Sequence, residues 1–125
     1  MRVLHGIDIA SVVRFKTALI QKGKRFLDRI FTESEQAYCQ PKRMREEHYA
    51  ARFAAKEAFC KAVSPLKKLT SLKEIEVCKE PSGKPFIRLS PALMKKLRFD
   101  RSTRIELSMA HEREMAMASV VIVQP

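Results

Sequence analysis

The segment Lys42–Val63 constrains the fold most, because it contains neither glycine nor proline and is rich in alanine. Alanine is the best helix former, and prolines, which interrupt helices, stand just outside the segment at Pro41 and Pro65. The segment therefore predicts one helix of about 21 residues. In a chain of 125 residues, a helix of this length is expected to be the central element of the fold.

The residues before this helix predict one strand followed by shorter helices. Val3–Ile9 alternates in the manner of a strand and is followed by Ser11, a good N-cap for a helix. Gly23 is expected to end that helix. Thr32–Glu35 has the pattern of a capping box, in which threonine precedes glutamate by three residues, so another short helix should begin there.

The second half of the chain is rich in strands. Turn chemistry at residues 81–84 predicts a hairpin between Glu74–Lys79 and Pro85–Leu89, and Ser90 should cap a short helix. Two further strands are expected, at Ile105–Ala110 and at Met115–Val123, the last buried on both faces. These elements predict an α+β fold in which a mostly antiparallel sheet packs against the long helix and shorter helices.

The chain carries a large excess of positive charge, with 25 lysines and arginines against 14 acidic residues and a net charge of +11. Both halves share the excess, which argues against a basic tail. The partner or substrate is therefore expected to be acidic: a nucleic acid, a phosphorylated small molecule, an anionic membrane face or an acidic protein.

Composition also bears on compartment and on domain number. No apolar run is long enough to cross a membrane, and the first residues do not have the layout of a signal peptide. The three cysteines, Cys39, Cys60 and Cys78, are odd in number and contain no Cys-x-x-Cys pair, which disfavours disulfides and zinc and favours a cytoplasmic location. We expect residues 1–125 to form a single domain.

The long helix also carries a group of charged side chains. Glu57 and Lys61 are four residues apart and share a face, and an adjacent stripe of basic residues comprises Arg45, Arg52 and Lys56. An ordinary solvated face with one ion pair remains open as an interpretation. The alternative is that the stripe borders a cleft, because apolar and small residues crowd the rest of the helix.

Asp8, at the end of the first strand, is a second candidate, although a role in a turn or a cap would also explain it. Together, Asp8 and Glu57 would suit a magnesium ion that also takes phosphate oxygens, which favours phosphoryl transfer. His111 closes a strand and could be structural or could donate to a phosphate. No Walker loop, dinucleotide fingerprint or nucleophile elbow is present.

Five motifs in order resemble the holo-acyl-carrier-protein synthase family, the short 4′-phosphopantetheinyl transferases, over essentially the whole chain. They are Gly6–Ile9, Phe31–Glu35, Arg52–Ala58 with Lys61-Ala62, Ser82–Pro85 and Ser108–His111. The resemblance implies transfer of 4′-phosphopantetheine from coenzyme A to a serine of apo-acyl carrier protein in fatty acid biosynthesis, with release of adenosine 3′,5′-bisphosphate.

The resemblance also implies roles for individual residues. Asp8 and Glu57 match magnesium ligands, Lys61 matches a phosphate-contacting lysine, and Glu57 is the candidate base, so these three form the expected catalytic set. The positions that match coenzyme A contacts are Arg45, Arg52, Lys61, Gly83, Lys84, Pro85 and His111. The expected docking surface for the acidic carrier protein consists of Arg14, Arg25 and Arg29.

The family further implies a homotrimer with its sites between subunits. One departure from its pattern is the segment Val63–Ser71, which has no glycine where the family has a Gly-x-Gly loop. Lys67 and Lys68 could supply phosphate contacts there, or the segment could be a solvated linker. Two other hypotheses are a basic nucleic-acid-binding domain, which the charge alone would favour, and a structural trimer without catalysis.

Overall fold

The long helix predicted from the sequence is present and lies at the centre of the fold in a computed structural model, which describes all 125 residues. The helix begins at Arg45, three residues later than expected, and ends at Val63. The elements in chain order are β1 (Arg2–Ser11), α1 (Val12–Ile30), α2 (Glu33–Cys39), α3 (Arg45–Val63), a short 3-10 turn (Leu72–Glu74), β2 (Ile75–Lys79), β3 (Pro85–Leu89), α4 (Pro91–Leu97), β4 (Arg104–His111) and β5 (Met115–Gln124).

The strands form two antiparallel sheets. In the larger sheet β5 lies between β1 and β4, with Asp8 opposite Ala118 and His111 opposite Ala116. In the smaller sheet β2 pairs with β3, which confirms the predicted hairpin. Because α3 packs on the larger sheet and also contacts β2, the α+β class with a long central helix is confirmed.

Alanines allow α3 to pack closely on several sides at once. Ala54, Ala55, Ala58 and Ala62 are almost completely buried, and they join one core cluster with the inward side chains of both sheets. A second cluster lies under α1, where the rings of Phe15, Phe31 and Tyr49 pack against one another. Small side chains on the helix therefore bring the strand backbones close to it.

Local sequence signals set the helix boundaries. The Thr32 hydroxyl accepts from the backbone N–H of Glu35, and the Glu35 side chain accepts from that of Thr32, so the predicted capping box is confirmed. Ser11 and Ser90 cap α1 and α4 as expected. At Gly23 the backbone leaves the helical region, with φ of 64° and ψ of −150°, so α1 kinks there and then continues to Ile30.

The prediction that β5 is buried on both faces is wrong for a single chain. Its residues alternate: Ala116, Ala118, Val120 and Ile122 face the core, whereas Met117 on the other face is 42% exposed. The physical reason is that α3 covers only one face of the larger sheet. No helix of the fold is long and apolar enough to cross a membrane.

Candidate active site

The backbone of β1 closely approaches α3 at Gly6, two residues before Asp8. A Cβ atom at position 6 would lie 2.0 Å from the carbonyl oxygen of Ala58 and 2.6 Å from the backbone nitrogen of Ala62. Only glycine fits such a contact without movement of the backbone. The Gly-x-Asp sequence therefore presses β1 onto α3 and delivers the Asp8 carboxylate to the side of the helix that carries Glu57 and Lys61.

The three residues of the expected catalytic set come together at this contact. Lys61 Nζ donates to Asp8 Oδ1 at 2.9 Å and to the carbonyl oxygen of Ile7 at 3.2 Å. Burial raises the pKa of Glu57, the charge of Asp8 raises it further, and Lys61 opposes both effects. Lys61 thus pairs with Asp8 rather than with Glu57, and two acidic side chains are close enough to influence each other.

Two adjacent carboxylates with a raised pKa on one of them suit a divalent cation, which would relieve their repulsion. No group of three or more potential metal ligands exists anywhere in the structure. A pair of carboxylates is nonetheless the set with which proteins commonly hold Mg²⁺, since this ion keeps several waters and takes the remaining oxygens from substrate phosphates.

Arg52 contributes to a second, cationic pocket on another side of α3. The residue is 3% exposed, and its Nε is the only buried side-chain nitrogen or oxygen in the structure without a hydrogen-bond partner. The pocket is lined by Ser34, Tyr38, Arg52, Val77, Cys78, Lys79, Phe86 and Arg88. A buried guanidinium with an unused donor is a suitable partner for an anionic oxygen atom.

Tyr38 lines this pocket, and the sequence did not single it out. Arg52, Lys42 and Lys79 approach its ring, at 4.1, 4.5 and 5.1 Å from the centroid. Burial alone would raise the pKa of Tyr38, but Lys79, Arg52 and Lys42 together lower it below its ordinary value. The sequence signal was weak, because the three cations come from different elements.

His111 lies at the end of β4 beside the first turn of α3. Its Nδ1 is 3.0 Å from Oε1 of Glu47, and its ring is 5.0 Å, centroid to centroid, from that of His48. His48 in turn packs edge-on against Tyr38, and its carbonyl oxygen accepts from Arg52. The structure therefore connects two predicted ligand residues, Arg52 and His111, through side chains that the sequence did not single out.

The prediction that Lys56 belongs to a basic stripe bordering a cleft is wrong. Its ammonium group is completely buried and donates to Glu35 Oε1 at 2.7 Å, to the carbonyl oxygen of Ile75 at 2.7 Å and to that of Leu72 at 3.0 Å. All three N–H groups of the lysine are therefore used inside the protein. Neither a solvated face nor a cleft describes this position.

The remaining predicted residues occupy separate places. Arg45 is exposed and lines a groove between α1 and α2, away from the Tyr38 pocket. Gly83 takes a φ of 93° at the tip of the β2–β3 hairpin, followed by Lys84, whose Nζ is 3.4 Å from Glu106, and by Pro85. The three arginines of the expected docking surface are all exposed on α1; they are Arg14, Arg25 and Arg29.

The segment after α3 and the cysteines complete the description. Residues 64–71 leave the helix through a turn, and Lys67 and Lys68 are both exposed.

None of the cysteines forms a disulfide, and burial raises the pKa of Cys39 and of Cys60 to about 11. Thiols with such values are poor nucleophiles, which favours a structural role for these two cysteines.

The fold and the site together define an α+β protein with paired carboxylates, an exposed lysine and, on another side of α3, a cationic pocket, groups that suit phosphate ligands. A sequence profile of the 4′-phosphopantetheinyl transferase superfamily matches residues 5–119. The chain belongs to this family.

Individual relatives agree with this assignment. The holo-[acyl-carrier-protein] synthase of Clostridium tetani is 37% identical over 117 residues, which cover 94% of this chain and 92% of that protein. The crystal structure of the synthase from Neisseria meningitidis has a TM-score of 0.86 and 33% identity, and it covers 97% of this chain and 98% of its own. The Helicobacter pylori synthase, solved in complex with coenzyme A, has a TM-score of 0.83 and 29% identity over 96% of this chain and all of its own.

Proposed function

We propose that this protein is a magnesium-dependent holo-acyl-carrier-protein synthase. It transfers 4′-phosphopantetheine from coenzyme A to a serine of apo-acyl carrier protein in fatty acid biosynthesis, and it releases adenosine 3′,5′-bisphosphate. The observation that carries the proposal is the convergence of Asp8, Glu57 and Lys61 at the Gly6 contact. The similarity of the chain to holo-[acyl-carrier-protein] synthases supports it.

Asp8 and Glu57 are the residues that would hold the magnesium ion. When bound, the ion neutralises charge on the pyrophosphate of coenzyme A. Lys61 is held in place by Asp8 and by the Ile7 carbonyl, and it has one N–H left with which to contact the phosphate that departs with the adenosine.

The reaction also requires removal of a proton from the serine of the carrier protein. The serine oxygen bonds to the phosphorus of 4′-phosphopantetheine while the bond from that phosphorus to the bridging oxygen breaks. Glu57, whose pKa is raised by burial and by Asp8, is the candidate acceptor of the serine proton, either directly or through a water molecule.

The other phosphate contacts that we propose belong to the cationic pocket and its surroundings. The unused Nε of Arg52 meets a phosphate oxygen, with Lys42 and Lys79 around the same Tyr38 ring and His111 joined to that ring through His48. Gly83, Lys84 and Pro85 border the nucleotide from the hairpin tip, where no side chain at position 83 obstructs it. Arg45 lies away from this pocket, so it would contact coenzyme A only at another part of the ligand or in the site of another subunit.

The geometry of α3 supports a site shared between copies of the chain. Arg52 and Glu57 are five residues apart, which places them about 140° apart around the helix axis. Within one chain they face different sides of α3, whereas coenzyme A must reach both groups. We therefore propose a homotrimer with its sites between subunits.

The uncovered face of the larger sheet is the surface on which the copies would meet. Val3, Ile7, Ile9 and Met117 are all between 42% and 61% exposed on this face. An apolar patch of this kind marks an interaction surface. Sedimentation should show a trimer for the natural chain and smaller species for Ile9→Arg, and the variant should lose transfer activity. A natural chain that sediments as a monomer at full activity would contradict the shared site.

The carrier protein is proposed to dock on α1. Arg14, Arg25 and Arg29 are exposed there, and the net charge of +11 favours encounter with an acidic protein. Arg14→Glu should raise KM for the carrier and leave the affinity for coenzyme A nearly unchanged. An equal loss for both substrates would mean general damage instead. A cytoplasmic location, where carrier and coenzyme A would both be available, is part of the proposal.

The deciding experiment mixes the protein with coenzyme A, Mg²⁺ and an apo-acyl carrier protein. Mass spectrometry should show the carrier gaining one phosphopantetheine group, and a chelator should abolish the gain until Mg²⁺ is restored in excess. A carrier whose mass does not change with Mg²⁺ present would sink the catalytic proposal. Binding to nucleic acid at physiological salt, with no transfer, would favour the alternative of a basic nucleic-acid-binding domain.

A further inference from the structure

Glu47, in the first turn of α3, is a buried acidic residue to which the proposed mechanism gives no role. The residue is 8% exposed, and its carboxylate contacts one side chain, the imidazole of His111, at 3.0 Å. Burial of a carboxylate is costly unless a donor compensates it. The His111 ring supplies this compensation, because its Nδ1 lies within hydrogen-bond distance of the Glu47 carboxylate.

The second nitrogen of His111 is directed elsewhere. Nδ1 faces Glu47, whereas Nε2 makes no hydrogen bond within the chain, and the side chain is 32% exposed. The two nitrogens of an imidazole are distinct, and the hydrogen bond made by one decides which atom carries the proton. A carboxylate at Nδ1 keeps a proton there and leaves Nε2 to face an external group.

The surroundings of His111 contain few other charges. From α3 the ring meets Glu47 and the edge of His48; on β5, the residue opposite is Ala116, which carries no charge. The turn that follows β4 contributes Glu112, Arg113 and Glu114, all exposed.

His48 does not change this picture near neutral pH. Burial lowers its pKa, and the charges of His111 and Arg52 lower it further, so His48 is neutral there. Glu47 is thus the acid whose side chain contacts the His111 ring.

We propose that Glu47 is a positioning residue that acts on coenzyme A through His111. Its carboxylate accepts a hydrogen bond from Nδ1–H and fixes the ring plane, which aims Nε2 at a phosphate of the ligand; the form of the ring that binds the phosphate carries a proton on each nitrogen. The inference rests on the proposed function, because it takes coenzyme A as the anion that His111 meets. Glu47 is not among the residues expected to contact coenzyme A. It is an acidic residue that orients one of them, His111.

The first test measures the affinity for coenzyme A by calorimetry, without carrier protein, for the natural chain and for Glu47→Ala, Glu47→Gln and His111→Ala. We expect Glu47→Ala to weaken binding by about tenfold, the scale of one charge-assisted hydrogen bond. Glu47→Gln keeps an acceptor of nearly the same shape and should lose less. Glu46→Gln, which removes the same charge from the same helical turn without contact to His111, should bind normally.

The double variant decides whether Glu47 acts through the imidazole. In a His111→Ala background, Glu47→Ala should cause no further loss of affinity, because the group it positions is absent. Nitrogen NMR of labelled histidine gives an independent signature. In the natural chain at high pH the remaining proton of His111 should sit on Nδ1, and in Glu47→Ala it should move to Nε2.

Each unfavourable result has a separate meaning. Equal losses from Glu47→Ala in both backgrounds, or an unchanged proton position, would overturn the positioning role, even if the natural chain binds coenzyme A and transfers its arm. A natural chain that does not bind coenzyme A would overturn the proposed function and this inference together.

Discussion

Two lysines on α3, five residues apart, each pair with a carboxylate from another element but have opposite surroundings. Lys56 pairs with Glu35 at 2.7 Å, and both side chains are fully buried. Lys61 pairs with Asp8 at 2.9 Å, and its side chain is 57% exposed. Five residues rotate a helix by about 140°, so the two lysines lie on different sides of α3: Lys56 faces the core, and Lys61 lies at the solvent-exposed surface beside Asp8.

The comparison shows how the surroundings of a Lys–carboxylate pair differ between a structural pair in the core and a pair in the proposed active site. Lys56 uses its three N–H groups on Glu35 and two backbone carbonyls, and burial lowers its pKa. Lys61 uses two N–H groups and keeps the third for a ligand. Substitution of the two lysines by the same residue therefore separates stability from turnover.

The largest effect is expected for Lys56→Met. Removal of the ammonium leaves the Glu35 carboxylate buried without its counter-charge, and broken buried pairs cost about 3–5 kcal/mol of the free energy of unfolding. Denaturant unfolding measures the loss. Glu35→Gln combined with Lys56→Met should recover part of it, since the amide keeps an acceptor for the backbone N–H of Val77. A single variant as stable as the natural chain would mean that the buried pair contributes nothing.

The matched substitution Lys61→Met should do the reverse. Lys61 is exposed, although the Asp8 side chain is only 15% exposed, so the free energy of unfolding should fall by about 1 kcal/mol, much less than for Lys56→Met. Turnover should fall by about 10²–10³-fold, the loss typical of one group that stabilises developing charge. Initial rates of holo-carrier formation at saturating coenzyme A test this. If Lys61→Met lost as much stability as Lys56→Met, the contrast between the two lysines would fail.

Gly6→Ala tests what brings Asp8 to Lys61. The new methyl group would lie 2.0 Å from the Ala58 carbonyl, so β1 and α3 must move apart. Overpacking of this kind costs about 1–3 kcal/mol. Turnover should fall as well, because Asp8 moves with the strand. Denaturant unfolding and initial rates measured on the same preparation compare the two losses; a variant with natural turnover would show that the close contact does not position Asp8.

The sequence predicted the parts of the fold that depend on neighbouring residues. The capping box of Thr32 and Glu35 is such a case, because both hydrogen bonds lie within one helical turn. The same Glu35 also accepts from Lys56 and from the backbone of Val77, and those contacts could not be predicted. They depend on how α2, α3 and β2 meet, which no local pattern encodes.

The candidate site divides in the same way. Asp8, Glu57 and Lys61 could be named from motifs, and the structure brings them together. Tyr38 and Glu47 could not be named, because their partners lie on other elements. For β5 the apolar composition suggested burial of both faces, yet composition does not tell whether a second layer comes from the same chain or from another copy.

The smallest effect on stability is expected at Glu57, and its sign is specific, because the negative charge of this residue opposes folding. Burial and the Asp8 charge raise its pKa above the ordinary value of 4.5, so the folded chain binds this proton more tightly than the unfolded chain does. Stability from this group is present at low pH and is lost as pH rises through the raised pKa. Without a cation, ionised Glu57 therefore opposes folding at neutral pH.

Glu57→Gln removes that charge at nearly constant shape, so it should make the chain slightly more stable at pH 7.5 while lowering turnover more than about tenfold. The gain in stability should shrink as pH falls toward 4.5, where the natural carboxyl also takes up a proton. Mg²⁺ should raise the Tm of the natural chain and of Glu46→Gln more than that of Glu57→Gln, because the cation binds the folded carboxylate pair. A variant less stable than the natural chain at pH 7.5 without Mg²⁺ would show that the Glu57 carboxylate stabilises the fold, as Glu35 does. The contrast between Glu57, on α3, and Glu35, the α2 acid that pairs with the buried side of α3, would then fail.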